Sequence, residues 1–136
     1  MAASVLVDTG FLVALINRRD TNLAWAASTS KRYPPPWQTC DAVLSESFFL
    51  LGSEGRPPLT KLMRSGALVS SHHAGAGMED VLSLMGKYAD TAMSFADACL
   101  VRMTEVLPEP VLLTTDSDFR IYRRLGRKTV PAIMPA

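Results

Sequence analysis

The sequence predicts an α/β fold in which a parallel β-sheet is covered on both faces by helices. Short, mostly apolar segments of four or five residues alternate along the chain with helix-like segments, which is the pattern of such a sheet. Hydrophobic residues make up 48% of the chain and charged residues 20%, so the composition supports a packed core rather than disorder. No repeat or linker divides the 136 residues, and we predict one domain over 1–136.

Two strands and four helices are predicted in the first half of the chain. Pro34 to Pro36 form a stiff connector that neither a helix nor a central strand can cross. Asp41 is well placed to cap a helix that Gly52 closes. The elements in order are a strand at Ser4 to Val7, a helix at Phe11 to Asn17, a helix from a cap at Asp20 or Thr21 to Tyr33, a strand at Trp37 to Cys40, a helix at Ala42 to Leu51, and a helix with Pro57 and Pro58 in its first turn that ends near Gly66.

Three strands and three helices are predicted in the second half. Gly75, Gly77 and the segment from Asp90 to Met93 separate the helices. The elements in order are a strand at Ala67 to Ser70, helices at Met78 to Tyr88 and Phe95 to Val106, a strand at Val111 to Thr115, a short helix at Ser117 to Leu125, and a strand at Thr129 to Ile133.

The charge balance gives the chain no global attraction to nucleic acid. Its 14 basic and 13 acidic residues leave a formal net charge of +1, so any attraction to phosphate has to be local. A cluster near the C-terminus offers such an attraction, because five cations and Tyr122 fall close together there: Arg120, Arg123, Arg124, Arg127 and Lys128. A solvated helix face explains the same cluster equally well.

The cysteines and the hydropathy indicate a soluble, cytoplasmic protein. Cys40 and Cys99 are too few to form a disulfide framework, and we expect both to be buried, reduced thiols. No apolar run approaches the roughly 18 residues of a membrane span. The N-terminus lacks a basic leader, and Asp8 interrupts its apolar region.

Two acids directly follow predicted strands. Asp8 comes after the first strand and Asp116 after the fourth, and in parallel sheets ligands bind beyond the carboxyl ends of the strands. Taken singly, each has a structural explanation, because an acid in this position often caps a helix or forms a turn. Asp97 has one too, since Ser94 and Asp97 are spaced as a capping box.

Glu46 is the acid that local reasoning singles out. Its neighbours three and four residues away in the predicted helix are all apolar: Ala42, Val43, Phe49 and Leu50. We therefore expect Glu46 to lie in apolar surroundings, where an unpaired carboxylate is costly and a metal ion is one of the few suitable partners.

Together the four acids predict a metal site. Carboxylates that converge on one pocket cannot all stay ionised without a cation, and oxygen ligands favour Mg²⁺ or Mn²⁺ over Zn²⁺. The only histidines, His72 and His73, are adjacent in a loop rich in Ser and Gly and have no third ligand at a useful spacing.

The motifs around these acids resemble the PIN-domain nucleases, and among them the VapC-type toxins of bacterial and archaeal toxin–antitoxin pairs. The resemblance spans nearly the whole chain and rests on four pieces in order: Val5-Leu6-Val7-Asp8-Thr9, Glu46 in its helix, Ser94-Phe95-Ala96-Asp97-Ala98, and Leu113-Thr114-Thr115-Asp116-Ser117-Asp118-Phe119. It implies a three-layer α/β/α fold with a five-stranded parallel sheet. It also implies that Asp8, Glu46, Asp97 and Asp116 gather around one or two Mg²⁺ or Mn²⁺ ions.

The resemblance further implies a function and supporting residues. A metal-activated water would hydrolyse an RNA phosphodiester without a protein nucleophile. Asp118 is a provisional further ligand, Thr9, Ser94 and Thr115 are expected to orient ligands, and the arginines at 120, 123, 124 and 127 are expected to hold RNA phosphates. The implied partners are a cognate antitoxin and a second copy of the chain. Six apolar residues could serve an interface, although core packing explains most of them: Phe11, Leu12, Leu15, Trp25, Phe48 and Phe49.

Other readings of the sequence fit less well. A phosphatase of the haloacid-dehalogenase type needs a second aspartate two residues after Asp8, where this chain has Gly10. A P-loop is excluded because Tyr88 follows Gly86-Lys87 and Val81 stands where the first glycine would lie. The serious alternative is a PIN-like module that binds RNA or a partner and has little or no catalytic activity.

Overall fold

The computed structural model describes residues 3–136 and contains a five-stranded parallel sheet with the order β3-β2-β1-β4-β7. The strands are β1 (Ser4–Val7), β2 (Trp37–Cys40), β3 (Leu68–His72), β4 (Pro110–Leu113) and β7 (Ala132–Ile133). The short strands β5 (Arg123–Arg124) and β6 (Lys128–Thr129) form a separate antiparallel hairpin. The predicted α/β class and parallel sheet are confirmed.

Five α-helices accompany the sheet within the described residues and complete a three-layer α/β/α fold. They are α1 (Thr9–Ile16), α2 (Leu23–Arg32), α3 (Asp41–Arg64), α4 (Met78–Lys87) and α5 (Phe95–Val106). None of them is long and apolar enough to cross a membrane.

The order of the strands places a crevice beside β1. The chain builds the sheet outward from β1 through β2 to β3 and then returns to add β4 on the other side of β1. Val7 and Leu113 are paired at the ends of β1 and β4, so the segments that follow these two strands lie side by side. This is the point at which ligands bind in open α/β sheets.

The core lies where the apolar strands meet the helices. Leu6, Val7, Leu112 and Leu113 are fully buried in the two central strands. Phe11 packs edge-on against Trp37, with ring centroids 5.3 Å apart, and joins α1 to the sheet. Such contacts fix the start of α1, the helix that begins directly after Asp8.

Gly52 closes a helix as predicted, whereas the prediction for the prolines after it needs correction. Gly52 is non-helical (φ 64°, ψ −161°), a conformation open to glycine, and it lies at the kink where α3 joins two helices. Pro57 and Pro58 lie within the second half of α3 rather than in its first turn. The helix over 20–33 also begins later than predicted, at Leu23 after Asn22.

The predicted helix at Ser117 to Leu125 is wrong beyond its first turn. A 3₁₀ turn covers Ser117–Arg120, and the chain then enters β5. Leu125 and Gly126 have positive φ angles of 51° and 86°, and they turn the chain back into β6. The predicted strand at Thr129 to Ile133 is correspondingly divided between β6 and β7.

Candidate active site

A pocket of about 270 Å³ opens beyond the carboxyl ends of β1 and β4. All four acids singled out in the sequence line it, and each comes from a different part of the chain: Asp8, Glu46, Asp97 and Asp116. Asp20, from the loop between α1 and α2, is a fifth acid in the lining, and no basic side chain of the described residues is among them. The pocket is therefore strongly acidic.

Asp8 is the most buried of these acids, with 6% of its surface exposed. It caps α1, because its Oδ1 accepts a hydrogen bond from the backbone N–H of Phe11 at 2.9 Å. Its Oδ2 accepts a hydrogen bond from the Thr114 hydroxyl. Burial raises the pKa of Asp8 to about 7, against the lowering effect of these hydrogen bonds and with further raising by Asp116 and Asp97.

Asp97 both caps a helix and lines the pocket. The capping box expected from the spacing is present, since the Asp97 N–H donates to Ser94 Oγ and the Ser94 N–H donates to Asp97 Oδ2. The Tyr122 hydroxyl donates to the same Oδ2 at 3.1 Å. Burial raises the pKa of Asp97, opposed by these hydrogen bonds and assisted by Asp116. The structural and functional interpretations of Asp97 are thus compatible.

Asp116 is connected to Asp8 through Thr114. The Asp116 N–H donates to Thr114 Oγ1 at 2.9 Å, and the same hydroxyl donates to Asp8. Asp116 also caps the 3₁₀ turn, because its Oδ1 accepts from the Asp118 N–H at 2.9 Å. Asp118 itself is not in the pocket lining.

The burial predicted for Glu46 is wrong, although its place in the pocket agrees with the prediction. Glu46 is exposed, and its neighbours Phe49 and Leu50 are themselves 83% and 58% exposed. The apolar stripe beside Glu46 thus lies partly at the protein surface. Glu46 stands at the rim of the pocket, where solvent can satisfy its charge.

The residues expected to orient the acids differ in what they contact. Ser94 does bond to Asp97, whereas the Thr9 hydroxyl donates to the backbone carbonyl of Val43. Thr115 lines the pocket and lies against Gly10, where a Cβ would stand 2.1 Å from the Thr115 hydroxyl oxygen.

Sequence reasoning missed three polar residues at this site. Thr114 and Tyr122 bind the carboxylates of Asp8 and Asp97, and both are fully buried. Asp20 was interpreted only as a helix cap, and it does accept a hydrogen bond from the Asn22 N–H. The one available signal was for Thr114, a polar residue at the end of an otherwise apolar strand; nothing local links Tyr122 to an acid 25 residues away.

The C-terminal arginines have unequal access to a ligand. The Arg123 guanidinium donates to the backbone carbonyls of Arg120, Ile121 and Tyr122. The Arg124 guanidinium donates to the Thr104 carbonyl, and its Nε is buried. Arg120 and Arg127 are exposed. Two of the four arginines thus hold the hairpin in place.

The oxygen atoms that line the pocket are of the kind that binds a hard cation, but their present positions suit such a cation less well. Its donors are carboxylate and hydroxyl oxygens, which Mg²⁺ and Mn²⁺ prefer. Across residues 3–136, however, no group of three His, Cys, Asp or Glu side chains is positioned to hold a metal ion. Of the four acids, Asp8 is buried, Asp97 and Asp116 are half-buried, and Glu46 is exposed. Cys40 and Cys99 are free and buried, as expected.

Comparison with known proteins shows the fold. No family model and no curated protein matches the sequence. Among solved structures, the chain is similar to VapC20 of Mycobacterium tuberculosis, a toxin that cleaves the sarcin–ricin loop. The TM-score is 0.71 at 24% sequence identity, and the match covers 85% of this chain and 92% of VapC20. The fold is therefore PIN-like.

Proposed function

We propose that this chain is a ribonuclease that depends on Mg²⁺ or Mn²⁺ and acts as the toxin of a toxin–antitoxin pair. The observation that carries the proposal is the joint position of Asp8, Glu46, Asp97 and Asp116 in one acidic pocket without a neighbouring cation. The likeness to VapC20 supports it, because that toxin has a similar fold and cleaves the sarcin–ricin loop.

Within this proposal the acids bind the ion and the buried residues hold the acids. A bound divalent ion supplies the Lewis acidity for phosphodiester hydrolysis. Asp8 and Asp97 are held by hydrogen bonds from Thr114, Ser94 and Tyr122 and form the fixed part of the site. Glu46 and Asp116 adjust to complete it. Asp118 acts from outside through its N–H bond to Asp116.

Cleavage of RNA by the purified protein tests the proposal. Asp97→Asn and Asp116→Asn are expected to abolish cleavage in Mg²⁺ or Mn²⁺, because each removes a charged oxygen ligand. Asp90→Asn is the matched control, since Asp90 is exposed and lies outside the pocket. Equal cleavage by all variants, or no cleavage with either ion, would refute the catalytic proposal.

A second candidate function is a PIN-like module that binds RNA or a protein partner without catalysis. It is favoured by the absence, within residues 3–136, of three side chains positioned to hold a metal. RNA binding that is retained by wild type and Asp97→Asn, with cleavage by neither, would establish this candidate.

The proposed toxin has an antitoxin and a second copy of the chain as partners. Of the six apolar residues considered for an interface, Phe11 and Leu12 are buried and Leu15, Trp25 and Phe48 pack against the core. Only Phe49 of the six is largely exposed, and it lies one turn from Glu46 at the rim of the pocket. Light scattering with and without the co-expressed antitoxin tests both partners, and Phe49→Ser is expected to weaken an interface at this rim.

A further inference from the structure

A groove runs between α1 and α3 and continues from the acidic pocket. Val13 and Leu50 line the pocket, and one turn or less further along the same helices Ile16 and Leu51 line a second cavity of about 770 Å³. The loop after α1 follows the same path, because Asp20 lines the pocket and its neighbour Arg19 lines the second cavity. We call this second cavity the α1–α3 groove.

The α1–α3 groove is basic where the pocket is acidic. Arg18 and Arg19 line it and are exposed, with Glu54 as the one acid among its lining residues in the described chain. Farther along α3, Arg56, Lys61 and Arg64 are also exposed and border an adjoining surface cavity.

The spacing of Arg56 and Arg64 along α3 places both cations on the same face of the helix. Arg56, Thr60 and Arg64 recur at every fourth position, so they lie on one face of the helix and span about 12 Å along its axis. Lys61 lies next to this face. With Arg18 and Arg19 in the groove, the two cavities are lined by five exposed cations.

These five cations are free to bind an external anion. In the described part of the chain, the ion pairs are those of Arg102 with Asp80 and Glu105, and none involves the five. Their side chains also donate no hydrogen bond to another described residue, unlike Arg123 and Arg124 of the C-terminal cluster. An exposed guanidinium with unused donors suits a phosphate group.

We propose that the α1–α3 groove and the Arg56, Lys61 and Arg64 face of α3 hold the phosphate backbone of the RNA as it leaves the acidic pocket. The inference rests on the proposed ribonuclease function. Without a bound ion the acids repel phosphate, so the attraction that brings a polyanion to the metal-free site has to come from neighbouring cations. The groove supplies them next to the pocket, whereas two of the four C-terminal arginines are already committed to the hairpin.

RNA binding measured by fluorescence anisotropy tests this surface. A labelled single-stranded RNA is titrated with protein in a chelator, so that binding is observed without cleavage. The variants are R18Q/R19Q, R56Q/K61Q/R64Q and, as a charge-matched comparison at the C-terminus, R120Q/R127Q/K128Q. All eight positions are exposed, and thermal unfolding confirms that each variant is folded.

The proposal predicts that the two groove variants bind RNA at least about tenfold more weakly, while the C-terminal variant changes much less. Each lost phosphate contact also reduces the slope of log Kd against log salt by about 0.7. Unchanged RNA affinity and salt slope in the groove variants would overturn the proposal. An equal loss of affinity in the C-terminal variant would also overturn it. Polyglutamate, a polyanion without phosphate, serves as a competitor, and tighter binding of polyglutamate than of RNA would overturn it too.

The failures of the two proposals are distinguishable. Groove variants that cleave RNA with unchanged KM would refute the binding surface and leave the nuclease proposal intact. A wild-type protein that binds RNA through the groove but never cleaves it would refute the nuclease proposal and leave the binding surface intact.

Discussion

The hydroxyl of Tyr122 donates a hydrogen bond to Oδ2 of Asp97 at 3.1 Å. Tyr122 is fully buried, and its ring packs edge-on against Tyr88 and Phe119, with centroids 5.2 Å away in both cases. Burial raises the pKa of Tyr122 first, and the charge and hydrogen bond of Asp97 raise it further, so the phenol stays a donor at neutral pH. Tyr122, which directly precedes the β5–β6 hairpin, thereby fixes one carboxylate oxygen of Asp97 in the pocket.

Tyr122→Phe is expected to leave the fold intact and to weaken divalent-ion binding. Loss of a partner that orients a metal-binding carboxylate typically costs about 10-fold to 100-fold in affinity or activity. Isothermal titration of Mn²⁺ measures the effect directly, and Tyr33→Phe is the control because Tyr33 lies outside the pocket. Equal Mn²⁺ affinities in both variants and wild type would show that Tyr122 serves packing alone.

Asp8 is expected to make the metal-free protein less stable as the pH rises. The pKa of Asp8 is about 7 in the folded chain and 3.8 as its ordinary value, so between these values the folded state binds more protons than the unfolded state. The contribution of Asp8 to stability therefore falls from pH 4 to 7, by on the order of 4 kcal/mol.

Urea unfolding in a chelator between pH 4 and 8 measures this loss. Asp8→Asn is expected to flatten the profile, because the amide is neutral throughout, and Asp90→Asn is expected to follow wild type. A wild-type profile that rises over pH 4 to 7 and is unaffected by Asp8→Asn would contradict the prediction.

Thr114→Val is expected to remove the link between Asp8 and Asp116. It leaves the Asp8 carboxylate and the Asp116 N–H without their shared partner, which costs about 1–3 kcal/mol for buried polar groups. It also removes a hydrogen bond that lowers the pKa of Asp8, so the pKa of Asp8 should rise further.

Thr104→Val separates the two effects. Thr104 is equally buried and donates to the Val101 carbonyl in α5, outside the pocket lining. Both variants should lose stability in urea unfolding, but only Thr114→Val should shift the carboxyl titration of Asp8 in NMR. A titration shift of the same size in Thr104→Val would argue against a local role for Thr114.

Gly10→Ala is expected to disturb the pocket wall. The new Cβ would lie 2.1 Å from Thr115 Oγ1, so the Thr115 side chain has to move, and overpacking of this kind typically costs about 1–3 kcal/mol. Thr115→Ala removes the clashing oxygen. The double variant should therefore recover most of the stability lost by Gly10→Ala in thermal unfolding, and a strictly additive loss would show that Thr115 is not the obstacle.

The local pattern of the sequence was enough to predict the sheet and the acids at its edge. Four strands of the five-stranded sheet were predicted within two residues at each end, because short buried segments between breaks leave few alternatives. Asp8 and Asp116 follow from their strands, and the capping box at Ser94 and Asp97 follows from spacing alone.

Predictions from the local pattern were wrong where exposure to solvent or contacts with distant residues determined the structure. Apolar neighbours at helical spacing suggested burial of Glu46, yet Phe49 and Leu50 are themselves exposed, since nothing in the described chain packs over that part of α3. A helix was predicted at Ser117 to Leu125, but the hairpin contacts of Arg123 and Arg124 favoured an extended chain.

The sequence by itself determined which residues form the strands and which acids follow them, because periodicity and capping act over a few neighbouring residues. Only the tertiary structure decided that Tyr122 and Thr114 hold these acids, that Asp20 joins them, and that free cations line the groove beside them. Those relationships join residues as many as 106 positions apart, and they arise from strand order and helix packing rather than from local spacing.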